Sequence, residues 1–261
     1  ILTKLFLVSI MYDNIEVFDF LKNIIGFNVL WEDKYEILDF IAKNSSIKII
    51  NWFINNNIDI VNLDNNIFYY SINYNKLLLI SFLIKKYKKD VNLEINYDGD
   101  TPLMTAIILG QKKTSRFLLE KGADINKKNY DDKTALMYSA EKGYIEIINL
   151  LLENGADVNE KDKDGKTALM YAIEKEQTKT IKLLLDNKSN TNEKDKDGKT
   201  ALMYAIEKKQ NKTINLLLNN GANVIEKDNN NKTVLMYAAE IGNIEILEKT
   251  LDKGANVNEK D

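Results

Sequence analysis

The sequence predicts an all-α solenoid, a linear stack of helix-turn-helix units with projecting hairpin loops. Three observations predict it. Thr101, Thr134, Thr167, Thr200 and Thr233 stand 33 residues apart and open the phrases TPLM, TALM, TALM, TALM and TVLM. A second phrase keeps the same register: GADIN from Gly122, GADVN from Gly155, GANVI from Gly221 and GANVN from Gly254. Between the phrases, apolar residues recur at helical spacing. A fixed period of this size marks units that bury their apolar faces only against their neighbours. Asn159–Lys175 and Asn192–Lys208 both read NEKDKDGKTALMYAIEK, so the repetition is close.

Each element follows from its residues. Upstream of residue 99 the pattern is fainter, with units expected to begin near residues 4, 36 and 67. DNIEVFDFLK (Asp13–Lys22) and SSIKIINWFINNNIDI (Ser45–Ile60) track GYIEIINLLLENGADV (Gly143–Val158), and Asp90-Val91-Asn92 echoes the ADVN phrase. The regular units begin near residues 101, 134, 167, 200 and 233. In these, Thr suits the N-cap of a first helix rich in Ala, Leu and Met, where its hydroxyl accepts an orphan backbone N–H. Pro102, directly after Thr101, is favoured at the first helical position and places the cap independently. The first helix is expected to end near Gly110, Gly143 and Gly242, since Gly tolerates the left-handed conformation that closes helices. The second helix is Tyr144–Glu153 in the best unit, with Ile145, Ile148 and Leu152 on one face. The polar NEKDKDGK that follows reads as a projecting hairpin. Eight such units account for the length, so one domain is expected over 1–261: divergent, aromatic-rich units over 1–97 and regular ones over 98–261.

Composition narrows the chemistry. The 261 residues contain 36 Lys+Arg and 39 Asp+Glu, giving a net charge of −3, with no Cys, no His and one Pro. That excludes disulfides, a thiolate nucleophile, Cys-ligated zinc and an imidazole base. The slightly acidic total gives no global attraction to nucleic acid or anionic lipid. No stretch is apolar enough to span a bilayer, and the opening lacks the features of a signal peptide. We expect a soluble chain, with the cytoplasm as default compartment. The first residue, Ile1, points to a fragment of a longer protein.

The unit DxDGKTALMYAxxxG…IxxLLLxxGADVN resembles the ankyrin repeat, with its 33-residue period and T-P-L-H-x-A phrase. The resemblance is strong from about Asp98 to Asp261. It departs in three places. The family's His is Met at 104, 137, 170, 203 and 236. That His bonds locally in the family, whereas Met is expected only to fill space, so the hairpins should be held less firmly. The unit at Thr167 carries Glu176 and Lys188 where Gly143 and Gly155 stand one unit earlier, which makes it the expected weak point of the stack. In the last unit Lys249 and Thr250 replace Leu150 and Leu151, as in a capping repeat with a polar outer face.

Several motifs suggest other chemistry. GKT at Gly165 and Gly198 lacks the earlier Gly of a phosphate loop, whose place holds Glu160 and Glu193. Glu160-x-Asp162-x-Asp164-Gly165 resembles half a calcium loop, but its twelfth position is Tyr171 rather than a bidentate Glu. Carboxylates such as Asp162 and Asp164 are expected to face solvent. Lys85–Lys89 reads as a solvated helix end. Tyr138, Tyr171, Tyr204 and Tyr237 form a ladder at 33-residue intervals, for which framework packing and recognition weigh equally.

The resemblance implies a non-catalytic protein-interaction scaffold, with contacts from hairpin tips and first helices along a concave surface. Carried onto this chain, the partner-binding residues are Tyr130, Asp131 and Lys133, with Tyr138, Glu141 and Lys142. One unit on they are Lys163, Asp164, Lys166, Tyr171, Glu174 and Lys175. The next unit offers Lys196, Asp197, Lys199, Tyr204, Glu207 and Lys208, and the last Asn229, Asn230, Lys232, Tyr237, Glu240 and Ile241. The expected partner is a protein of mixed charge, bound by a monomer. No cofactor, metal, catalytic residue, nucleic acid or membrane insertion is expected. The alternative is a structural spacer or stabilising arm of a larger protein, which near-identical neighbouring units favour.

Overall fold

The computed structural model describes residues 2–25, 34–56 and 66–258, and these form two compact units, Ile1–Ala123 and Asp124–Asp261. Each unit is built from pairs of antiparallel helices, and the described residues contain no strand. The expected Ile60 end of one upstream segment, Gly26 and the last residues 259–261 lie outside the described residues.

In the first unit the pairs are α1 (Leu2–Met11) with α2 (Ile15–Ile25), α3 (Lys34–Asn44) with α4 (Ile47–Asn55), α5 (Asn66–Asn73) with α6 (Leu77–Tyr87), and α7 (Pro102–Ile108) with α8 (Lys112–Glu120). First helices pack in series, α1 on α3, α3 on α5 and α5 on α7, and α2 packs on α4. The aromatic residues of this half are partly core. Phe18 and Phe53 are buried, and with Trp52 they form edge-to-face pairs at 4.9–5.4 Å. Others face outward, among them Tyr12, Phe20, Tyr35 and Tyr97. Polar bonds join successive pairs: Ser46 Oγ donates to the Ile10 carbonyl (2.6 Å), and Gln111 Nε2 to the Ile72 carbonyl (2.7 Å). Lys85, Lys86 and Lys88 are exposed at the end of α6, as a solvated helix end requires.

In the second unit the pairs are α9 (Ala135–Lys142) with α10 (Ile145–Glu153), α11 (Ala168–Glu174) with α12 (Thr178–Asp186), α13 (Ala201–Glu207) with α14 (Asn211–Asn219), and α15 (Val234–Glu240) with α16 (Ile244–Asp252). First helices again pack in series, as do α10, α12 and α14. The core is layered at the sequence period: Leu136, Leu169 and Leu202 from first helices, Leu151, Leu184 and Leu217 from second helices, all at most 2% exposed. Each such Leu contributes roughly 1.5–3 kcal/mol by leaving water. That burial holds helices of seven to nine residues, too short to persist alone.

The helix caps fall where the Thr period puts them. Thr101, Thr134, Thr167 and Thr233 accept from the backbone N–H three residues on, at 3.2–3.4 Å. One expectation is corrected here. Met does more than fill space: Met104, Met137, Met203 and Met236 turn the thioether sulfur back to the N-cap N–H at 3.4–3.5 Å. The sulfur takes the acceptor position of a capping box, though as a weak acceptor.

The last unit also differs from expectation. Thr250 occupies the layer of Leu151, Leu184 and Leu217 and is wholly buried, its hydroxyl donating to the Leu247 carbonyl at 2.9 Å. Lys249 is half-buried, with Nζ on Asn215 at 2.9 Å. The exposed side carries Ile244, Leu251 and Val257 instead. Thr250 therefore faces inward, because the helix phase of Leu151 is the inward one, while Lys249 stays at the edge, paired with the exposed Glu245.

Candidate functional site

Between helix pairs of the second unit, a hairpin turns on one buried side chain. Asp162 is 8% exposed. Its Oδ1 accepts from the N–H of Asp164 (2.9 Å) and of Lys166 (2.8 Å), and its Oδ2 from the Tyr171 hydroxyl (2.5 Å). Asp195 repeats the arrangement with Asp197, Lys199 and Tyr204, and Asp228 with Asn230, Lys232 and Tyr237. In the first hairpin of this unit Asn129 takes the place of Asp: its amide oxygen accepts from Asp131 and Lys133, and its Nδ2 donates to the Tyr138 hydroxyl (3.0 Å). The expectation that Asp162 faces solvent is thus corrected. A short acceptor side chain folds back on its own turn, which both buries it and satisfies it. Among the described residues, no cluster of acidic side chains could hold a metal ion.

The Tyr ladder is part of this framework. Tyr171 and Tyr204 are 8% exposed and Tyr237 is 3% exposed, whereas Tyr138 is half-buried. Burial, with the carboxylate beside each hydroxyl, pushes all three buried phenols well above the ordinary tyrosine range. Asp228 shifts the other way. Its burial opposes ionisation, but the Tyr237 hydroxyl, two backbone N–H groups and the nearby Lys199 charge hold its carboxyl below the usual range.

Lysines lie across the rings. Lys133 Nζ is 4.7 Å from the Tyr171 ring centre, Lys166 Nζ 5.5 Å from that of Tyr204, and Lys199 Nζ 5.6 Å from that of Tyr237. Lys166, Lys199 and Lys232 also pair with Glu174, Glu207 and Glu240 of their own units at 2.5–2.7 Å. Lys175 reaches back to Glu141 at 3.5 Å. A second row, Lys128, Lys161 and Lys194, donates to the carbonyls of Lys161, Lys194 and Lys227 one hairpin on, at 2.9–3.0 Å, while pairing with Glu160, Glu193 and Glu226.

The tips are joined directly. Lys163 N–H donates to the Asp131 carbonyl (3.0 Å), Lys196 N–H to that of Asp164 (2.7 Å), and Asn229 N–H to that of Asp197 (2.9 Å). These bonds fix the backbone of a row whose side chains Tyr130, Asp131, Lys163, Asp164, Lys196, Asp197, Asn229 and Asn230 are exposed. Lys196 Nζ sits 2.6 Å from Asp164, which holds that carboxyl below its usual range. Of the other predicted residues, Lys142, Lys175, Glu207, Lys208 and Glu240 are exposed at first-helix ends, and Lys133, Lys166, Lys199, Lys232, Glu141, Glu174 and Ile241 are half-buried. Sequence reasoning missed the hairpin pivots Asn129, Asp162, Asp195 and Asp228. Their own 33-residue spacing was the signal that could have found them.

Paired helices in series, joined by docked hairpins, define a helical repeat protein that displays an ordered row of side chains. The model of the ankyrin repeat family, described as ankyrin repeats in three copies, matches residues 38–129, 125–195 and 182–261, and the chain belongs to that family. Among solved structures it is similar to the ankyrin repeat domain of Bcl-3, described as a unique member of the IkappaB protein family. That match has a TM-score of 0.67 and 24% identity, and covers 74% of this chain and 88% of the other; it shows the fold alone. No curated protein matches the chain. No described helix is long and apolar enough to cross a membrane.

Proposed function

We propose that this chain is a non-catalytic, monomeric scaffold that binds a protein partner through the hairpin tips and first-helix ends of residues 124–261. One observation carries the reading: the tips are hydrogen-bonded to one another, so a row of exposed charged and polar side chains is already ordered before anything binds. A partner then meets a surface that loses little conformational entropy on association. The row alternates Asp and Lys, which suits a partner of mixed charge rather than nucleic acid. The half-buried lysines and buried tyrosines beneath the tips support the row; direct contact falls to Asp131, Lys163, Asp164, Lys196, Asp197 and their neighbours.

Cross-linking capture from source cells tests this. Asp131→Lys, Asp164→Lys and Asp197→Lys, combined, should abolish capture while leaving the melting temperature nearly unchanged. Full capture by that variant would overturn the reading. Charge reversal at the tips is the better probe because Tyr171→Ala and Tyr204→Ala would remove buried framework as well as surface. The alternative, a spacer or stabilising arm, draws support from Lys–Glu pairs satisfied within the chain. It predicts that no protein is captured by wild type.

A further inference from the structure

The first helix pair leaves open to solvent positions that every later pair buries. The left-handed residue joining the two helices of a pair sets the register: Asp13, Ser45, Asn75, Glu176, Lys209 and Gly242. In the first pair Leu5 on α1 is 47% exposed and Val17 on α2 42%. The counterparts of Leu5 (Ile37, Ile67, Val234) and of Val17 (Ile49, Leu79, Ile246) are all at most 3% exposed. Val8 and Phe20, three residues further on in their helices, extend the exposed apolar face. We propose that this face receives a second copy of the chain: the last helix pair of one copy stacks on the first pair of another, head to tail.

The last pair shows the complementary face. Leu235 and Met236 on α15 are half-buried, whereas their counterparts Leu169, Leu202, Met170 and Met203 are fully covered. Ala239 is exposed where Ile173 and Ile206 are buried. Leu251 on α16 is 40% exposed against 5% for Leu185 and Leu218, and Val257 is 65% exposed against 4% for Val224. The polar register continues as well. Asn126, Asn159 and Asn192 each accept a backbone N–H of the next unit at 2.8–2.9 Å, and Asn258 stands exposed at the same position of the last unit.

The occupant follows from the contact that these faces continue. Within residues 124–261 each later pair covers the apolar face of the pair before it, α11 on α9, α13 on α11 and α15 on α13. Leu5 and Val17 carry the covering face on the first pair, and Leu235 and Leu251 the covered face on the last. One chain thus presents both halves of a single contact, each exposed in the lone copy, and a second copy supplies the complement of either. Burying them removes apolar surface from water, as it does between neighbouring pairs. Between copies the contact must also offset translational and rotational freedom, which units of one chain do not lose. The dilute chain is therefore the monomer that presents the tip row, and copies stack as concentration rises. The two faces differ, so the association is heterologous and is not limited to two copies. It uses none of the tip residues.

Analytical sedimentation of the 261-residue chain from about 1 to 500 µM tests this. The mean mass is expected to rise with concentration and to pass that of a dimer. Leu5→Lys with Phe20→Lys blocks the first face, and Leu251→Lys with Val257→Lys blocks the last. All four side chains are exposed in the single chain, so both variants should keep the wild-type helical circular dichroism. If the first variant loses helix, Phe20→Lys alone takes its place. Each variant by itself should associate at least about tenfold more weakly than wild type. Mixed in equal amounts, the two should form a dimer of wild-type strength and nothing larger, because one intact last face meets one intact first face. That dimer also shows that the faces it uses are folded. A wild type that stays monomeric at about 500 µM overturns the proposal. So does a variant that associates alone as wild type does, which would show a symmetric contact or unspecific clustering, and so does a mixture that stays monomeric.

Discussion

The Tyr204 hydroxyl lies 2.5 Å from an Asp195 carboxylate that is 7% exposed and that also holds two backbone N–H groups. Removing only the hydroxyl leaves that buried oxygen short of a donor. Tyr204→Phe should therefore cost about 1–3 kcal/mol in urea unfolding, with the helical spectrum retained; an unchanged midpoint would mean the bond contributes nothing. Asp228 gives a pH dependence of known sign. Its carboxyl titrates below its unfolded value, so the unfolded chain takes up the proton first as acid is added. Its contribution is complete above about pH 4 and is lost as pH falls through the lower folded value. Melting temperatures of wild type and Asp228→Asn should converge between about pH 5 and pH 2. A gap that stays constant over that range would contradict it. At this scale the sequence was only partly legible. Spacing exposed the Tyr ladder and the Thr caps, but the burial of Asp162 depends on its carboxylate folding back on its own turn, which composition reads as polar surface.

At the level of helices, most boundaries were legible because caps are local. Thr and Gly mark them through short-range backbone geometry, and Gly143 closes α9 at φ 71° as its position predicts. The exceptions follow from the same geometry. Glu176, Lys188 and Lys209 hold φ of 56°, 64° and 55°, where a side chain strains the backbone. Around Gly155, one unit before Lys188, the space a Cβ would enter is open to 4 Å. Crowding is therefore not at issue there, and backbone strain alone distinguishes the two residues. Lys188→Gly should raise stability by about 1 kcal/mol in thermal melts. Amide exchange over α11 and α12 should be faster than over α9 and α10; slower exchange would remove the idea of a weak unit. The thioether caps were not legible, because sulfur accepts a bond only once the first turn has brought Met back over the N-cap.

For the molecule as a whole, surface charge separates stability from display. Lys196 with Asp164 is an exposed pair, worth little to stability because water and salt screen it. Raising sodium chloride from about 0.1 to 0.5 M should thus move the melting temperature little while weakening partner capture markedly, since screening acts on exposed charges across an interface. Capture that survives high salt would argue for an apolar contact instead.

The sequence by itself determined the helical repeat, its period and the order of its elements, because these arise from contacts between residues close in the chain. It also determined what chemistry the chain lacks, since side chains that are not present cannot act. Tertiary structure decided which polar residues are framework and which are surface. Asp162 and Asp164 are two residues apart and alike in charge, yet one is buried on a tyrosine and the other exposed on a tip. Only the folded hairpin separates them, because the Asp162 carboxylate turns back onto the N–H groups of its own turn and the Tyr171 hydroxyl, while that of Asp164 points out at the tip.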